Sequence, residues 1–139
     1  MAATTLDRNT KIRLVERTIV LPLATGAKIP YGTMVSVATP SVGAVPAADT
    51  ATHVVQGWAS QSVDQTAGDT KITVLRGVAN FANDGTITAA DVGQPCTVLD
   101  NQTVSKAATT VNDIGAGYIE EVDSDGVWVS FLGGKIAAT

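Results

Sequence analysis

From Thr52 onward the chain is punctuated at roughly ten-residue spacing by Gly, Asn, Asp and Pro, and the runs between these marks are short and rich in Val, Ile and Thr. No window of about twelve residues sustains the apolar spacing of a helix. The pattern predicts an all-β fold, a small β-barrel or β-sandwich with short strands, one short helical turn and an extended N-terminal arm. The 139 residues suffice for one core. With 45% hydrophobic residues but only 4% aromatic, that core is expected to consist mainly of Val, Ile, Leu and Ala.

Residues 1–11, MAATTLDRNTK, offer no face to bury and read as an irregular arm. The run IRLVERTIVLPLA follows, and Pro22 within it marks an edge strand or a strand exit, because proline cannot donate to a ladder. The expected division is an arm over residues 1–17 and a single β domain over 18–139, with a surface loop over 39–51. A short strand is expected from Thr33 to Ala38. TKITVLRGVANF should be a strand interrupted at Gly77 by a bulge or a close backbone approach. Thr88 to Asp91 should form the helical turn, with Thr88 as its cap, and Ile87 should plug the barrel end. A hairpin should turn at Asp123-Ser124-Asp125-Gly126. In its second strand Val127, Val129 and Phe131 share one face, and Trp128, Ser130 and Leu132 the other. Both faces are expected to be covered, one by the barrel interior and one by a neighbouring chain.

The net charge of −4 is unevenly spread. Residues 1–17 hold Arg8, Lys11, Arg13 and Arg17 against Asp7 and Glu16, which leaves five basic residues against eleven acidic ones in the remainder. An acidic body argues against direct nucleic-acid binding, which draws its affinity from clustered Lys and Arg. The single thiol, Cys96, sits in QPCTVL beside a β run and reads as a small buried hydrophobe. The opening is polar and the longest apolar run, IVLPLA, is far too short to span a membrane, so a soluble protein without a secretion signal or membrane partner is expected.

Templates for chemistry fit poorly. DGTITAAD at Asp84 to Asp91 imitates half a calcium loop, but placing Gly85 at the sixth position puts Ala82 at the third, where an oxygen ligand is needed. His53 is the only histidine, so it and Cys96 are the only soft metal ligands, and a dyad between them has no support from spacing. Glu120, Glu121, Asp123 and Asp125 read as a solvated turn. Gly133 to Lys135 lacks the glycine and hydroxyl of a phosphate loop, and Gly115 to Gly117 precedes a strand where a dinucleotide fingerprint would follow one. No enzyme activity, cofactor or metal is expected.

With catalysis set aside, segment order carries the information. GWAS followed by an acid, a strand ending RGVANF, the step ITAADVG into CTVLDNQTV, and GYIEEVDSDGVWVSF lie in this order within residues 54–132. This arrangement resembles the capsid decoration, or cement, proteins of tailed bacteriophages. The resemblance implies a small β body with an N-terminal arm, and self-association as a homotrimer, with a dimer as the alternative. It also implies attachment to the major capsid protein on the outer surface of the virion, after synthesis in the host cytoplasm. Leu6, Ile12, Leu14 and Val15 of the arm, together with Tyr31, are the expected contacts to the shell or to a neighbouring copy. Leu6 is the one large apolar residue among the first eleven after Met1. The competing expectation is a carbohydrate- or receptor-binding module that uses an exposed Trp58 or Trp128. A small hydrolase built on close carboxylates is a third.

Overall fold

The computed structural model describes residues 3–132. Eleven strands run through them: β1 (Ile12–Pro22), β2 (Lys28–Ile29), β3 (Met34–Ala38), β4 (Ala44–Pro46), β5 (His53–Ala59), β6 (Val63–Asp64), β7 (Lys71–Asn83), β8 (Pro95–Asp100), β9 (Thr103–Lys106), β10 (Gly115–Asp123) and β11 (Gly126–Phe131). The fold is all-β, and β7, β11, β10, β8 and β9 close into a five-stranded barrel. Closure depends on the length of β7, which pairs antiparallel with β11 through Gly77–Phe81 and parallel with β9 at Ala82 and Asn83. Beyond the barrel, the sheet continues from β7 through β5 and β3 to β4.

Two apolar clusters follow from alternation along β7. Ala79 and Phe81 point into the barrel with Val98, Val104, Ile119, Val127, Val129 and Phe131. Ile72 and Val74 point to the other face, where Ile29, Val35, Ala44 and Val63 cover them. Aromatic residues are few but central, since Phe131 stacks at 5.6 Å from both Trp58 and Phe81.

The chain between β7 and β8 behaves as read. Ile87 is buried in the barrel cluster, and Ala89–Asp91 form a 3-10 turn whose first amide donor, Thr88 N, is held by Asp91 Oδ2 at 2.8 Å. A second 3-10 turn, Gln65–Ala67, was not anticipated; Asp64 caps it by accepting from Thr66 N.

Four expectations need correction. The arm does not extend to residue 17, because β1 begins at Ile12 and is laddered to β7 from there to Pro22. Residues 39–51 are not loop throughout, since β4 pairs with β3 and buries Ala44, which apolar-polar alternation in so short a piece could not announce. β7 is not interrupted at Gly77, but the close backbone approach expected there is present: a Cβ on Gly77 would collide with the carbonyl of Leu14, and the bulge lies opposite it on β1. Finally, Trp128 on the outer face of β11 is covered by Arg13 of this chain's own β1, while Leu132 on that face stays exposed. The glycine pair and Lys135 of the rejected phosphate loop lie outside the described residues.

Candidate docking surface

Residues 3–10 carry no strand, yet each turn of their path is fixed to the body. The Asn101 side chain accepts from Thr4 N at 2.9 Å and donates to Thr4 O at 2.8 Å, reading the arm backbone as a strand neighbour would. Three residues on, Asp7 Oδ1 accepts from Tyr31 N at 3.0 Å while Arg8 N donates to Tyr31 O at 2.7 Å. The Arg8 guanidinium then lies 4.8 Å over the Phe81 ring and donates to Asn80 O and Thr10 Oγ1, both at 2.9 Å. Thr10 is buried and donates to Gly32 O. The arm thus caps the barrel next to Phe81. Burial lowers the Arg8 pKa from its ordinary value, and no carboxylate contributes to that shift.

The basic residues that follow are matched to the last hairpin. Lys11 Nζ reaches Asp125 at 3.1 Å and Arg13 reaches Glu121 at 3.0 Å, with the Arg13 guanidinium 4.0 Å above Trp128. The indole N–H of Trp128 donates to Asp123 Oδ2 at 2.9 Å, a bond that draws the Asp123 carboxyl below its usual range. The acids read as a solvated turn are indeed exposed, and three of them, Glu121, Asp123 and Asp125, also bond to β1 or to Trp128. Two of the four basic residues of the arm segment are thus paired with two of the eleven acids of the body.

Several apolar side chains also remain outward on this side. Leu6 is 74% exposed, and Ile12, Leu14 and Val15 are also exposed on β1, joined by Val20 at 59%. Register separates them: Ile12, Val15 and Val20 oppose Ala79, Gly77 and Thr73 of β7, whereas Leu14 opposes Val78 and so belongs to the other face. Of the expected contact residues, Ile12, Leu14 and Val15 are thus brought together on one strand. Leu6 stands apart on the cap, and Tyr31 is half-buried with its backbone clasping that cap. Val20 was missed, although its place two residues before Pro22 in the same β-branched run was the available signal.

The other candidate chemistries find no apparatus among the described residues. No three His, Cys, Asp or Glu side chains gather there. Asp84 and Asp91, the acids of the calcium-like stretch, are both taken up by the chain. Asp84 accepts from Thr86 N at 2.9 Å and from the Ser105 hydroxyl, and Asp91 meets Lys106 at 3.4 Å. Cys96 is fully buried, which pushes its pKa up to about 12. His53 opens β5 with Nδ1 buried and without a partner, and burial lowers its pKa. Trp58 and Trp128 are only 1% and 8% exposed, so neither offers a platform for a sugar ring. A cleft of about 500 Å³ lies between residues 51–54 and 112–115, with His53 and Asp113 as its titratable groups.

The fold and this surface define a small β-barrel protein with a pinned N-terminal cap and an outward apolar edge strand. Compared with protein-family models, curated proteins and solved structures, the chain matches none of them.

Proposed function

We propose that this chain is a structural virion protein that binds the outer surface of a phage capsid at subunit junctions and stabilises the expanded head against the pressure of packaged DNA. The observation that carries the reading is β1, an eleven-residue strand paired with β7 alone and exposed along nearly all its length. Monomeric proteins usually shield such an edge. This one presents Ile12, Val15 and Val20 on one face, and Leu6 projects separately from the cap. The resemblance of residues 54–132 to decoration proteins supplies the partner, a major capsid protein. The work is mechanical: apolar burial across a seam between shell subunits opposes their separation, and many copies acting together make a modest contact stabilising. No chemical step is involved. The Trp-based sugar-binding alternative loses its support with both indoles buried.

The test is to add the purified protein to expanded heads of the encoding phage and locate new density by electron microscopy. Density is expected over subunit junctions on the outer surface, and Val15→Asp with Leu6→Ser should abolish it while the melting temperature holds. Heads that remain bare with the native protein would overturn the reading.

A further inference from the structure

We infer that β1 pairs edge to edge with β1 of a second copy, in an antiparallel, two-fold dimer centred on Glu16 and Arg17. The ladder between β1 and β7 places Val15 opposite Gly77 and Arg17 opposite Arg76, so Glu16 is the extra residue of a bulge. In a regular strand, neighbours point to opposite faces, and a two-fold pairing would set Glu16 against Glu16 or Arg17 against Arg17. A bulge sets two residues against one, which allows Glu16 to share the face of Arg17. Each Glu16 can then oppose the second copy's Arg17, and the contact is made twice.

Charge favours this occupant. Lys11 and Arg13 have acidic partners, whereas among the described residues Arg17 has none and faces Arg76, whose guanidinium is committed to Gln56 O at 2.8 Å and Gln56 Oε1 at 2.7 Å. Like charges directly opposite in a sheet oppose folding. A carboxylate delivered beside the arginine pair relieves that repulsion, and the same strand carries one at the neighbouring position. Single charges on an edge normally block pairing; an adjacent acid and base at the middle of the strand instead select a self-complementary register. In that register Val15 meets the second copy's Thr18, and Leu14 its Ile19. A second register shift of β1, between Ile12 and Leu14, ends the matched stretch at Leu14 and Ile19.

The dimer replaces the trimer that the resemblance implies. It does not depend on the capsid reading, which stands or falls on binding to heads. The native protein, Glu16→Arg, Arg17→Glu and the combined charge swap are compared by sedimentation equilibrium, with hydrogen exchange read across residues 12–22. The native chain should be a dimer whose β1 amides gain protection as concentration rises. Each single reversal should weaken association by about tenfold or more, and the double swap should restore it. A native monomer, a trimer, β1 amides whose exchange ignores concentration, or single reversals that leave the dimer intact would each overturn the proposal.

Discussion

Arg8 shows how one side chain can close a barrel that is poor in aromatic residues. Its guanidinium covers the Phe81 ring and satisfies the carbonyl of Asn80, while its own amide holds Tyr31 O. Arg8→Ala keeps the backbone bond but removes the side-chain contacts, and should cost about 1–2 kcal/mol in urea unfolding. Arg8→Lys should recover only part of this, because an ammonium cannot lie flat on the ring while reaching two acceptors. Ile87 sits deeper, 3% exposed in the barrel cluster. Ile87→Asp buries a charge with no partner and should unfold the domain, seen as loss of the cooperative thermal transition at neutral pH. The sequence made Ile87 legible as core because an isolated Ile between turn residues has few other uses. Arg8 was not legible, because nothing local distinguishes an arginine that will find a ring 73 positions away from one that stays in solvent.

At the scale of elements, the stretch from Asp84 to Asp91 joins β7 to β8 and is tied to β9. Burial raises the Asp84 pKa, but hydrogen bonds from Ser105 and Thr86 outweigh it and hold the carboxyl below its ordinary 3.8. A carboxyl depressed by folding stabilises the native state above its unfolded value, and that contribution is lost as pH falls through the folded one. Asp84→Asn should therefore cost about 1 kcal/mol at pH 7, with the difference from the native chain shrinking toward pH 3 in urea titrations. Added calcium should leave the melting temperature of the native chain unmoved, since both acids are already occupied. A calcium-dependent rise would mean these donors yield to the ion. Strands near the expected positions, the 3-10 turn at Ala89–Asp91 and the closing hairpin were readable because each rests on local periodicity or turn chemistry. β2, β4 and β6 were not, for they hold two or three residues each and exist only through the partners that pair with them.

For the whole molecule, the consequence is that the N-terminal region has two mechanical roles that the sequence presented as one. Residues 3–10 are a cap bonded to Tyr31, Gly32, Asn80 and Asn101, and β1 is part of the sheet. Composition could place small polar residues outside the core, but it could not show that distant polar groups would hold them. A truncation lacking residues 1–17 would therefore remove the cap and half of an eleven-residue strand together, and any loss of partner binding would follow from damage to the body. Removing residues 1–10 alone leaves β1 intact, but takes the Arg8 contacts and the Asn101 clasp, and exposes Phe81. That variant should lose roughly 2–4 kcal/mol in the absence of any partner, visible as a lower urea midpoint at neutral pH. Leu6→Ser, by contrast, alters only an outward side chain and should leave that midpoint within about 0.5 kcal/mol of the native value. If the truncated chain proved as stable as the native one, the cap would be ornamental to the fold, and Leu6 would sit on a tether where the contacts to Tyr31, Gly32 and Asn101 place it on a fixed support.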